Sequence, residues 1–247
     1  MPAHHHRRPG PEVFRRRQTV AALVAVTSVV LLGWAGSKVL GGSSSTATTT
    51  RAVAPTSPST TSAPTTTTTD PGTLPQTDQE PAITGALLER LTPLWNAISS
   101  GDAAQGMADF FPRSAYVSMK TGRLPDPGAD YEGRLVAFYN MDVPAYHAAL
   151  GPDPSKAKLV AVNGNPAYAH WVPAGECENG VGYWHLPGVR MVYETPQGQQ
   201  SFSVASLISW RGVWYVVHLG PNPRPSNVGT VDQPATGPGT PGPPGGC

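Results

Sequence analysis

Five arginines, an apolar run of membrane-crossing length and a long Ser/Thr/Pro tract occupy the first third of the chain, leaving only the remainder to form a core. Arg7, Arg8 and Arg15 to Arg17 come first; Thr19 to Gly36 then pass without a charge, and Lys38 closes the run. As an α-helix rising 1.5 Å per residue, Thr19 to Leu40 spans about 30 Å if Lys38 snorkels, which matches a hydrocarbon core. A cleaved secretory signal is the competing reading, since Gly33-Trp34-Ala35 offers small residues at cleavage spacing, though such apolar cores are usually only about 7–15 residues long. A core helix fits worse, because the run is apolar on every face.

Charge sets the expected orientation. The arginines precede the run and only Lys38 and Arg51 follow nearby, which predicts residues 1–17 as a cytoplasmic basic tail and everything after Leu40 as extracytoplasmic. The lipid bilayer is thus the first expected partner, through Thr19–Leu40, and the arginines suit an anionic inner leaflet. From residue 41 to residue 82 almost every position is Ser, Thr, Pro, Ala or Gly, too little apolar surface to offset chain entropy, so this stretch reads as a disordered stalk. The Pro/Gly-rich stretch from residue 221 to residue 247 reads as a disordered tail for the same reason.

Residues 83–220, about 138 in number, remain for one domain. They carry nine Lys/Arg against eleven Asp/Glu, so no concentrated basic face exists and nucleic acid is not an expected partner. Every aromatic residue except Phe14 and Trp34 falls between Trp95 and Tyr215, enough to bury a sizeable core.

Leu87, Leu91, Leu94, Trp95 and Ile98 recur at helical spacing. Pro93 either kinks this helix or opens a second one at its first turn, capped by Thr92. Asp102 caps a short helix that carries Met107 and ends near Phe110-Phe111. Tyr116 to Met119 reads as a strand. Tyr131, Leu135, Phe138 and Tyr139 mark another helix, and Pro144 to Leu150 a further turn or two. From Lys158 the period becomes two, with strands expected at Lys158–Val162, Ala167–Val172, Val181–Leu186, Val189–Glu194, Gln200–Trp210 and Val213–Leu219. The expected class is α+β, N-terminal helices packed on a curved antiparallel sheet.

That order of long helix, Ser100-Gly101-Asp102, short helix ending in Phe110-Phe111, strand, helix and antiparallel meander resembles the cone-shaped domains of nuclear transport factor two and the ketosteroid-isomerase-like enzymes. The whole layout is similar to actinobacterial single-pass membrane proteins associated with mammalian-cell-entry lipid transporters. The resemblance implies an envelope-associated domain with a pocket. The isomerases' acid and base have no matching positions here, so no catalytic residue is carried over.

Four histidines lie in the domain: His147, His170, His185 and His218. The last three fall on neighbouring expected strands, which makes them, with Trp214 on the last strand, the residues expected to reach a pocket or recognition surface. Trp214, Val216 and His218 are expected on one face of that strand. Neither a metal-ligand spacing nor a Gly-x-Ser-x-Gly elbow is present, so no metal, cofactor or catalytic group is expected. Cys177 and Cys247 either pair with each other, closing a loop of about 70 residues worth roughly 4 kcal/mol, or remain as free or intermolecular thiols. Glu176 and Glu178 beside Cys177 disfavour a nucleophilic thiolate. The function expected is binding or scaffolding, with an envelope protein or an apolar ligand as partner. The alternative is a small-pocket enzyme of isomerase or hydrolase type.

Overall fold

The computed structural model describes residues 69–243, 245 and 246. The basic tail, the apolar run and the stalk up to residue 68 lie outside these residues. Among the described residues, no helix is long and apolar enough to cross a membrane.

Two long strands form the spine of a six-stranded antiparallel open sheet. β3 (Tyr183–Thr195) and β4 (Gly198–Trp210) pair along their whole length, from His185 opposite Ile208 to Thr195 opposite Gly198. Short strands share each outer edge. β1 (Lys158–Asn163) pairs with the far half of β3, and β2 (His170–Val172) pairs with its beginning. On the other side, β5 (Val213–His218) pairs with the end of β4, and β6 (Asp232–Thr236) with its start. The domain is α+β, as the switch of period predicts. Val181–Leu186 and Val189–Glu194 are one strand rather than two, because Pro187 and Gly188 sit within a continuous ladder.

Among the described residues, five α-helices accompany the sheet. α1 (Leu87–Arg90) and α2 (Thr92–Ser100) meet at Leu91, with Pro93 in the first turn of α2, where its missing N–H costs no bond. Gly101 ends α2 in the left-handed region, the usual glycine stop. Asp102 caps the 3-10 turn Ala103–Gly106 by accepting from the Ala104 N–H. α4 (Pro127–Asp130) leads through a π-helical turn, Tyr131–Val136, into α5 (Ala137–Ala149), which carries Pro144 inside it.

Arg113–Lys120 is a helix, α3, where the β-rich string Tyr116 to Met119 predicts a strand. Tertiary burial overrides local preference here. Ala115, Tyr116, Met119 and Lys120 are the buried positions, a helical stripe that the four-residue window hid.

The helices cover the face of β4 that carries its even-numbered side chains. Trp95 of α2 stacks on Phe202 at 6.4 Å, Tyr146 of α5 meets Phe202 edge-on at 4.7 Å, and Phe111 meets Trp210 edge-on at 6.0 Å. Asp109 fastens the helices to the last strand. Fully buried, its carboxylate accepts from the Leu94 N–H at 2.7 Å and from Arg90 at 2.6 Å, while its carbonyl accepts from the Val216 N–H.

The folded domain extends past both of its expected boundaries. Before α1, Trp210 donates to the Pro71 carbonyl, Gln76 to the Ser209 carbonyl and Trp184 to the Asp78 carbonyl, so part of the expected stalk is fastened to the sheet. After β5, the described residues of the expected disordered tail pack on the domain. Arg224 is 9% exposed and forms a two-pronged ion pair with Asp142, which is 1% exposed and also accepts from the Gly220 and Thr230 N–H groups. β6 follows, with Pro234 tolerated because it lies in an edge strand. Composition concealed this because the tail is held by backbone groups and one buried ion pair rather than by an apolar stripe.

Candidate functional site

A cavity of about 380 Å³ opens between α3, the π-helical turn and the β4–β5 end of the sheet. That lies within the range of small-molecule sites. Met119, Leu124, Leu135, Ile208 and Val217 supply its apolar walls. Ser206 and Ile208 share the β4 face that carries Phe202 and Trp210, so the cavity borders the core between these two aromatic positions.

A β-bulge shapes one wall. Ser206 pairs with His218 and Leu207 with Val216, which leaves Val217 without a register partner. The extra residue breaks the alternation, so Val217 and His218 both border the cavity. His218 therefore departs from the face shared by Trp214 and Val216, contrary to strict alternation along the strand.

His185 and His218 are brought together, one on each strand beside β4. His185 lies within 3.2 Å of the Ser206 hydroxyl and edge-on to His170, 5.1 Å away. Burial pulls the His185 pKa down to about 4, helped by His170. Burial first, and then the charges of Arg134 and Arg224, pull His218 down to about 3. His218 is half-buried and borders the cavity. Both imidazoles are neutral at pH 7. His170 is exposed and does not line the cavity, and His147 bonds the Ile98 carbonyl well away from it. Trp214, 2% exposed, belongs to the core and not to the lining.

Across from the histidines sits a hydrogen-bonded trio. Arg134 grips Asp130 with two bonds of 2.9 and 2.7 Å and also donates to the Tyr116 hydroxyl, which in turn donates to Asp130. The Arg134 bond holds the Asp130 carboxyl below the usual range, while burial raises the Tyr116 phenol well above its own. The trio is thus a carboxylate, a guanidinium and a neutral phenol.

Lys120 completes the polar lining. It is 8% exposed, its ammonium donates to the Cys177 carbonyl at 2.7 Å, and it lies 5.8 Å from the Tyr116 ring centre. Burial lowers its pKa, with Arg134 adding to the effect. Among the described residues no carboxylate comes within ion-pairing distance of it, whereas Arg134 and Arg224 each have one. Asn179, 3% exposed, also lines the cavity, and its side-chain oxygen is buried without a hydrogen-bond partner.

Cys177 stands at the rim in a disulfide, which removes the free-thiol reading for this residue. The tail closes over the same rim. Asn222 and Gly246 both line the cavity, and the Asn222 amide donates to the Gly246 carbonyl.

Sequence reasoning reached His185 and His218 but missed Lys120, Arg134, Tyr116, Asp130 and Asn179. The first four come from the segment read as a strand and from the helix after it. A helical reading of Arg113 to Lys120 would have placed Tyr116 and Lys120 four residues apart on one face. Asn179 sits in a loop with no local signal. Among the described residues, no group of three or more His, Cys, Asp or Glu side chains could hold a metal ion. No protein-family model, no curated protein and no solved structure matches the chain.

Proposed function

We propose that this chain is a binding protein of the cell envelope, anchored through Thr19–Leu40 with its folded domain outside the membrane, and that the cavity holds a small molecule with an apolar body. The cavity itself carries the reading: five apolar side chains line its walls, and a few polar groups converge on it from several elements. The cone-shaped architecture of nuclear transport factor two and its relatives is the fold we assign, because helices cover one face of an antiparallel sheet and leave a pocket at one end. A Cys177–Cys247 bridge, pairing the chain's two cysteines, would pin the tail across the rim.

A pocket enzyme of isomerase or hydrolase type is the second reading, favoured by the convergence of His185, His218, Tyr116 and Asp130. The direction of the shifts weakens it. A general base works best with a pKa near the operating pH, and pKa values of about 4 and about 3 leave both imidazoles weakly basic.

Two measurements test the proposal. A cysteine placed at Ser57 should react with a membrane-impermeant thiol reagent in intact cells, and one placed at Ala3 should not; the reverse pattern ends the anchored reading. Native mass spectrometry of protein purified from its own membrane should show a bound small molecule released by unfolding. Protein that is always empty and gains no thermal stability from any apolar compound would end the binding reading.

A further inference from the structure

Resting on the binding reading, we infer that the cavity's ligand is a singly charged amphipathic carboxylate, its anionic end held by Lys120 and its apolar body lying against Met119, Leu135 and Ile208. The argument begins with charge. Arg134 is matched by Asp130, and Arg224 by Asp142, so the two guanidiniums are neutralised within the protein. Glu178 lies at the rim but is exposed. Lys120 remains a buried ammonium without an ion-pair partner among the described residues. Taking an ammonium out of water is costly unless something compensates it.

One of its N–H groups is used by the Cys177 carbonyl, which leaves two donors for a ligand. Two donors and one positive charge suit a carboxylate. A dianion would leave a second charge buried without compensation. A cation would face the Lys120 ammonium itself, a like charge. The apolar walls exclude a small hydrophilic acid as the whole ligand, because burying Met119, Leu135 and Ile208 against it would gain nothing.

Three water-soluble probes of one shape test this: 4-phenylbutyrate, 4-phenylbutanol and 4-phenylbutylamine, titrated against the full chain in lipid nanodiscs. The readout is the thermal unfolding midpoint followed by tryptophan fluorescence. The acid should bind at least about tenfold more tightly than the alcohol, and the amine should give no shift. Lys120→Met should abolish the preference for acid while alcohol binding persists, and Lys120→Arg should retain it. If Lys120→Met fails to fold, the wild-type order of the three probes and Lys120→Arg still decide. Equal binding of acid and alcohol, or tighter binding of the amine, overturns the carboxylate inference but leaves the cavity reading standing. No shift with any probe, in oxidised or reduced protein, overturns both.

Discussion

Gly242 donates its N–H to the carbonyl of Gly188 at 2.9 Å, so the tail lies directly on the backbone in the middle of β3. Gly188 has φ +61°, and a Cβ added there would stand 2.1 Å from the Gly242 oxygen. Only glycine permits both the backbone angle and the approach. Gly188→Val should therefore release the tail and cost about 1–3 kcal/mol. Limited proteolysis would read the release as new cleavage between residues 237 and 243 with the sheet intact. An unchanged digestion pattern would show that the tail does not depend on this contact.

The Arg224–Asp142 pair should be the tail's strongest fastening. Removing one partner of a buried pair leaves the other charge uncompensated, and Asp142→Ala should cost about 3–5 kcal/mol. The double variant Asp142→Leu/Arg224→Met should recover much of that loss. Urea unfolding of both variants makes the comparison, and a double variant no better than the single one would show that the backbone bonds to Asp142 matter more than its charge.

Reduction should open the cavity rim without unfolding the domain. Cys177 is oxidised, and Lys120 separately holds its carbonyl, a contact that does not involve the sulfur. Mild reductant, or Cys177→Ser, should speed hydrogen exchange from residue 239 to residue 246 and leave β3 and β4 protected. Exchange that rises equally across the sheet would mean the bridge supports the whole fold.

Acid stability should be unusually flat. Burial raises Asp109 and Asp232 to about 6, from 3.8. The folded state then binds more protons than the unfolded one between pH 4 and 6, so these two lose stability as pH rises through that window. His185 and His218 are lowered to about 4 and about 3, from 6.5. For them the unfolded state binds more protons, and stability is lost as pH falls below 6.5. The two pairs oppose each other. Wild-type stability should change little from pH 6 to pH 4, whereas the double variant His185→Gln/His218→Gln should become more stable on acidification. A double variant that follows the wild-type curve would show that the histidines do not carry the compensation.

Trp214→Ala should cost about 3–5 kcal/mol as a core truncation, with His218→Ala milder because its ring borders open volume. Denaturant unfolding separates the two, and a fully stable Trp214→Ala protein would remove Trp214 from the core.

What the sequence made legible follows from how far each signal reaches. Phe202, Val204, Ile208 and Trp210 alternate with small residues over one strand, and a period-two pattern of that length survives any tertiary context, so β4 and the α+β class could be read directly. Tyr116 to Met119 is too short to separate strand from helix, and what decides it is burial of Tyr116 and Lys120 against elements far along the chain. His185 and His218 were accessible as residues on nearby strands, but the side of the sheet on which His218 emerges depends on the bulge at Val217. Lys120 and Asn179 meet only because the chain closes on itself across more than fifty residues, and no local pattern encodes that.

The bonds made by Pro71, Gln76 and Asp78 also fix where force enters the domain. Trp210 at the end of β4 and Trp184 at the start of β3 hold this segment at neighbouring points of the two central strands. Tension applied from the N-terminal side therefore arrives at the stiffest part of the sheet, and α1 is shielded from peeling until those indole bonds give way. In a pulling experiment from residue 69, the first rupture should be that clasp, with the cavity still closed.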